Sequence, residues 1–153
     1  MKLYQLLLNL VLFTTAVLAA PGTGAHFQST PKVSCSGVDL VVSFDEAGLG
    51  NEKITYTLDA VIDATWGCVN NGGHLPKAAN KKTFTSNGES TTTLSPHNGS
   101  VKSSLSLSPP SPPPSDFTCP AGLTLKLLSS SYDSIHFCDS TNGICFDLGS
   151  RSC

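Results

Sequence analysis

The sequence predicts an all-β protein, an antiparallel β-sandwich in the immunoglobulin-like style, with about seven strands and disulfide support. Three observations predict it. Apolar residues recur at every second position over long stretches with Thr, Ser or Asp between them. Turn-forming Gly, Asn and Pro interrupt that pattern at short intervals. An even number of cysteines, six, follows an export signal.

The signal comes first. In MKLYQLLLNLVLFTTAVLAAPG a single basic residue, Lys2, precedes an apolar run from Leu6 to Leu18 and small residues at Ala19 and Ala20. This is the pattern of a secretory signal peptide, residues 1–19, with cleavage expected after Ala19. The run falls short of the ~20 apolar residues that span a bilayer, and no later segment reaches that length, so no membrane span is expected. Residues 20–31, APGTGAHFQSTP, read as a flexible leader, and 32–153 as a single domain. About 134 residues then remain, enough for one core.

From Val38 the alternation Val38, Leu40, Val42, Phe44 marks a strand, and DEAGLGNEK reads as the turn after it. The longest strand runs from Ile54 to Cys68, with Ile54, Tyr56, Leu58, Ala60, Ile62, Ala64, Trp66 and Cys68 on one face. Its other face is mostly Thr and Asp, the half-wet pattern of an antiparallel sheet. A strand of that length calls for a bulge or a bend.

After the loop WGCVNNGGHLPKAANKKTF come two Thr- and Ser-rich strands, TFTSNGESTTTLS and SVKSSLSLS. They are joined at PHNG, where Asn98-Gly99 suits a tight hairpin turn. SPPSPPPSD, residues 108–116, holds five prolines and reads as a stiff connection. GLTLKLLSSSYDSIHF supplies one long bent strand or two short ones, and IHFCDSTNGICFDL closes as a hairpin that sets Cys138 opposite Cys145.

Composition excludes several functions. Only 13% of residues are charged, the formal charge of −2 becomes about −3 without Lys2, and Arg151 is the only arginine. Nucleic-acid binding has little to work with. None of the cysteines shows the pairwise spacing of two to four residues that zinc sites favour, so no metal or other cofactor is expected.

Of the histidines, His26 lies in the leader, His97 at the turn, and His136 on the solvent side of the last hairpin. A nuclease would draw on Glu52 or Glu89 but lacks a placed arginine. Asp59 and Asp63 share a wet strand face at a spacing too long for the closer glycosidase geometry. With no G-x-S-x-G elbow either, the chain is expected not to be an enzyme.

Only His74 lies in a loop long enough to build a site. Asn70, Asn71, His74 and Lys77 are therefore the candidate contacts to a host cell-surface receptor or a glycan. Trp66 falls on the apolar face and is expected in the core, which leaves Tyr132 as the freer aromatic for stacking on a sugar. Asn98-Gly99-Ser100 is a glycosylation sequon on a turn.

At EAGLGNEKITYTLDA, CVNNGGHLPKAANK, LSLSPP, FTCPAG and DSTNG the chain resembles a family of small secreted proteins of unknown biochemistry, found in filamentous fungi and some bacteria. The likeness covers about residues 38 to 148 and carries no catalytic residue over. Simpler members keep cysteines only in the motifs matching Cys68 and Cys119, which implies that these two pair. Cys138–Cys145 then leaves Cys35–Cys153, although two other arrangements of those four cysteines remain open.

The chain is also similar in style to cell-death-inducing secreted proteins of plant-associated ascomycetes. That likeness, with the export signal and the lack of catalytic signatures, implies a secreted effector or elicitor of the host apoplast. The alternative expectation is a glycan-binding or structural module of the producing organism's own cell wall.

Overall fold

A computed structural model describes residues 24–76, 80–111 and 117–153. The signal peptide with its cleavage site at Ala19, the start of the leader, Lys77 and residues 112–116 of the proline run lie outside the described residues.

The described residues form nine strands: β1 (His26–Phe27), β2 (Lys32–Ser36), β3 (Asp39–Ala47), β4 (Ile54–Val69), β5 (Lys81–Leu94), β6 (Ser100–Leu107), β7 (Thr124–Asp139), β8 (Ile144–Asp147) and β9 (Arg151–Ser152). All the pairings between them are antiparallel, in two sheets. In sheet A, β3 is central, with β6 along one side and β1 and β2 end to end along the other. Sheet B runs β5-β4-β7, with β8 and β9 end to end on the far side of β7. The nine segments thus fill seven strand positions, three in A and four in B, and the sandwich expected from the sequence is the fold found.

The alternation read from the sequence is the alternation buried. Leu40, Val42 and Phe44 of β3 face Tyr56, Leu58, Ala60 and Ile62 of β4, with Val101, Leu105 and Leu107 of β6 and Tyr132, Ile135 and Phe137 of β7 completing the core. Phe44 lies 4.5 Å from Tyr56 and 4.9 Å from Phe137 between ring centroids, so an aromatic cluster sits where the two sheets meet. On the wet face of sheet B, threonines pair across strands, Thr55 with Thr93 at 3.0 Å and Thr65 with Thr83 at 2.8 Å.

The expected irregularity in the long strand is present as register shifts against β7 at Asp59/Val61 and Thr65/Trp66. The first sets Ser134 and Ile135 of β7 against Ala60 alone, and Ser134 takes a positive φ of 52°. β7 itself is one continuous strand, and Trp66 is buried as expected.

Three expectations need correction. Order does not begin at Lys32, because His26 and Phe27 of the expected leader pair with Ala47 and Glu46 of β3. Phe27 packs against Phe44, Phe137 and Phe146, which explains why a two-residue strand holds. Gly48, at φ 73°, lets this segment dock: a Cβ there would fall 1.8 Å from the carbonyl oxygen of Gly24.

The second concerns DEAGLGNEK, which does not turn at once. β3 continues through Asp45, Glu46 and Ala47, and Glu46 points into the core. Third, the strands flanking PHNG are not ladder neighbours. Asn98 and Gly99 do make a tight left-handed turn, at φ 51° and 71°, closed by a His97–Ser100 bridge. Beyond it β5 belongs to sheet B and β6 to sheet A, so the turn is a corner between sheets.

Cys35–Cys153, Cys68–Cys119 and Cys138–Cys145 are the disulfides, and no cysteine is free. Cys35 lies on the edge strand of sheet A and Cys153 follows the edge strand of sheet B, so this bridge closes one side of the sandwich. The Phe27–Phe146 contact, at 5.0 Å, closes the same side. On this side, therefore, the edges of both sheets are shielded where another chain would otherwise add a strand.

Candidate functional site

The loop joining β4 to β5 is built around one side chain. Asn70 Oδ1 accepts the backbone N–H groups of Gly72 and His74, each at 3.0 Å. The backbone of Asn70 also bonds both ways, accepting from Gly73 N at 2.8 Å and donating to His74 O at 3.0 Å. A short polar side chain that satisfies its own loop in this way replaces the missing ladder. Asn70 is thus the organiser of the loop, and it holds His74, which is exposed beside Asn71.

The base of the loop is fixed on two sides. Cys68 is buried and bridges to Cys119, tethering the loop to the segment after the proline run. Gly67 leaves room for side chains above the sheet: a Cβ there would lie 2.5 Å from Leu128 Cδ1 and 3.0 Å from Leu75 Cδ2. Leu75 therefore folds the loop back onto sheet B. On the other face of the same sheet, Phe117 meets Phe84 edge-on at 6.2 Å, and Lys82 Nζ sits 4.9 Å above the Phe84 ring. The loop, the tethered segment and this cation–aromatic stack share one end of the sandwich.

Of the four candidate contacts, the structure brings Asn70 and His74 together, leaves Asn71 exposed alongside, and does not describe Lys77. Tyr132 is corrected outright. It is fully buried, and its hydroxyl proton is shared between the carbonyls of Val38 at 2.8 Å and Leu107 at 3.0 Å, which ties β7 to the one end of the β3–β6 pair where β3 begins and β6 finishes. Asn98 is exposed on its turn, and Ser100 Oγ donates to His97 O at 3.1 Å.

The groups considered for catalysis are dispersed. His26 Nδ1 lies 2.7 Å from Gly24 O, Glu89 is reached by Thr91 at 3.4 Å, and Asp63 accepts from Thr85. A shallow hollow on sheet A is lined by Ser29, Lys32, Ser43, Phe44, Asp45 and Lys102, with Lys102 paired to Asp45 at 3.6 Å.

What the sequence reading missed is a buried polar cluster between the sheets. Glu46 of β3, Tyr56 of β4 and Asp139 of β7 are each fully buried. Tyr56 donates to Glu46 Oε2 at 2.7 Å, while Glu46 Oε1 has no donor. Asp139 accepts from the N–H groups of Thr141 and Asn142 and from Asn142 Nδ2, at 2.6 to 2.9 Å. Burial pushes the Glu46 carboxyl up to about 7; the Tyr56 hydrogen bond opposes this and the Asp139 carboxylate adds to it. The same surroundings push the Tyr56 phenol well above its ordinary value. The signal was present in the even-position alternation, since Glu46 continues the series Leu40, Val42, Phe44.

Fold and site together define a disulfide-closed antiparallel β-sandwich that carries one internally braced loop at its end. No family model, curated protein or solved structure matches the chain. No helix among the described residues is long and apolar enough to cross a membrane.

Proposed function

We propose that the protein is an exported, non-enzymatic recognition protein, a fungal extracellular effector or elicitor whose 70–76 loop contacts a host cell-surface receptor or glycan. One observation carries this reading. Asn70 and the Cys68–Cys119 bridge order the loop in advance while Asn71 and His74 stand in solvent. Ordering a loop before it meets its partner removes an entropic cost of about 0.5–1.5 kcal/mol for each side chain it would otherwise immobilise.

Two further features support the reading. Three disulfides and no free thiol suit an oxidising exterior. The Glu46–Tyr56 pair, the two strongly shifted titratable residues among those described, is sealed in the core where no substrate reaches it. An exposed Asn98 suits an attached glycan as well.

Infiltration of the purified oxidised protein into leaves of several plant hosts, at micromolar dose, tests the proposal. The expected outcome is a cell-death or immune response that is lost on reduction and in an Asn71→Ala/His74→Ala variant of unchanged thermal stability. Silence in every host removes the elicitor reading. Retention on chitin, β-glucan or cellulose without a host response transfers the protein to the cell-wall alternative, against which the burial of Trp66 and Tyr132 already counts.

A further inference from the structure

Five side chains from three neighbouring strands converge on the outer face of sheet B near its β8 edge. Along one row of the ladder Asp59 of β4 faces His136 of β7, which faces Asp147 of β8. Two residues along β7, Cys138 faces Cys145. His136 Nδ1 lies 3.4 Å from Asp59 Oδ2, and Nε2 lies 3.9 Å from Asp147 Oδ1. The two ring nitrogens are 3.6 and 3.7 Å from Cys138 Sγ, and the ligand atoms of His136, Cys138 and Cys145 all lie within 4.8 Å of one another.

A tetrahedral zinc ion bound by imidazole and thiolate sets the nitrogen and sulfur roughly 3.6 Å apart, and two thiolates roughly 3.8 Å apart. The imidazole–sulfur separation is close to that value, but Cys138 Sγ is nearly equidistant from the two ring nitrogens and so lies over the ring face. Opening the bond between the sulfurs frees the Cys138 side chain to swing to the Nε2 edge of the ring.

We propose that the β7–β8 hairpin is a thiol-gated zinc site. When a small-molecule thiol of the glutathione class opens Cys138–Cys145, Zn²⁺ is held by the two cysteine sulfurs, His136 Nε2 and the Asp147 carboxylate. Asp59 accepts the Nδ1–H of the same ring and fixes its orientation, the usual outer partner of a zinc-bound histidine. The sequence hides this set because the ligands come in two facing pairs, with the cysteines 7 positions apart in place of the usual short spacing.

The chemistry balances. Cys145 is the one exposed half-cystine, so a thiolate attacks its Sγ, forms a mixed disulfide and expels Cys138 as a thiolate beside the His136 ring. A second thiol attacks the small-molecule sulfur of the mixed disulfide and releases Cys145. Two thiols become one small disulfide, the protein gains two electrons as two thiols, and Zn²⁺ displaces their protons to solvent. The other bridges are shielded, since Cys68 is buried and Cys35 and Cys153 are half-buried where the sheet edges meet.

Glutathione titration of the full-length folded protein, with alkylation and peptide mapping, reads the order of opening. Cys138 and Cys145 are expected to label first. The partly reduced protein should then retain about one Zn²⁺ per chain through gel filtration, and added Co²⁺ should give thiolate-to-cobalt charge-transfer absorption. The oxidised protein should do neither.

His136→Ala should weaken zinc retention at least ~100-fold, and Asp59→Asn roughly 10-fold as an orienting group. A Cys138→Ser/Cys145→Ser variant, which keeps the two shielded bridges, should retain no zinc with or without thiol. Opening of another bridge first, zinc retention no greater than in the oxidised protein, an unaffected His136→Ala variant, or zinc held by the double-serine variant would each overturn the proposal.

Discussion

The Tyr56 hydroxyl donates to Glu46 Oε2 at 2.7 Å across the boundary between the two sheets, placing a carboxyl group in the middle of an aromatic core. Burial raises the Glu46 carboxyl and the Asp139 carboxylate adds to this, while the Tyr56 hydrogen bond opposes it.

This arrangement makes stability depend on pH in a stated direction. The Glu46 pKa is raised from 4.5 to about 7, so the folded state binds its proton more tightly than the unfolded chain does. That contribution is complete below pH 4.5 and is lost as pH rises through 7, up to about 3 kcal/mol from a shift of this size. Thermal melts between pH 4.5 and 8 should show the wild type losing stability with rising pH relative to Glu46→Gln, which carries no proton to lose. Tyr56→Phe leaves Oε2 without its donor, should cost about 1–3 kcal/mol, and should move the decline to higher pH. Parallel curves for wild type and Glu46→Gln would contradict the assignment.

The N-terminal segment should behave as part of the sandwich. Phe27→Ala opens the aromatic contact between the sheet edges and should destabilise by about 2–4 kcal/mol in denaturant unfolding. Gly48→Ala forces a Cβ into the Gly24 carbonyl and should undock β1 while leaving the rest folded. Hydrogen exchange checks this, because the Gln28 amide, bonded to Asp45 O at 2.8 Å, should exchange faster in that variant.

The three disulfides should rank by the length of chain they close. Their separations are 118 residues for Cys35–Cys153, 51 for Cys68–Cys119 and 7 for Cys138–Cys145. Loop-closure entropy then gives losses of about 5, 4 and 2 kcal/mol on replacing each pair by alanine. Denaturant midpoints of the three double variants measure the order, and the smallest loss at Cys138–Cys145 is the one a bridge open to reduction requires.

Much of this architecture was legible because burial follows period two. Ile54 to Cys68 announced β4, and Asn98-Gly99 announced the turn at β5's end. Chemistry at single positions was less visible. Glu46 continues an apolar series, yet a carboxyl reads as a chain turn until Tyr56 and Asp139 are seen around it. Tyr132 sits in a Ser-rich stretch that reads as wet, and only the carbonyls of Val38 and Leu107 explain its burial. His26 and Phe27 lie among Gly, Pro and Thr, and the rings that hold Phe27 are distant in sequence. In the 70–76 loop, His74 was legible as a candidate, whereas the bracing role of Asn70 depends on a loop geometry that residue types alone do not fix.

The proposed function requires an exported scaffold closed by three bridges, and mass mapping of disulfides in protein harvested natively from culture medium tests that most directly. The expected peptides link Cys35 to Cys153, Cys68 to Cys119 and Cys138 to Cys145, with the chain beginning at Ala20. Free thiols at Cys35, Cys68, Cys119 or Cys153, a different pairing, or retention of the protein inside the cell would contradict it.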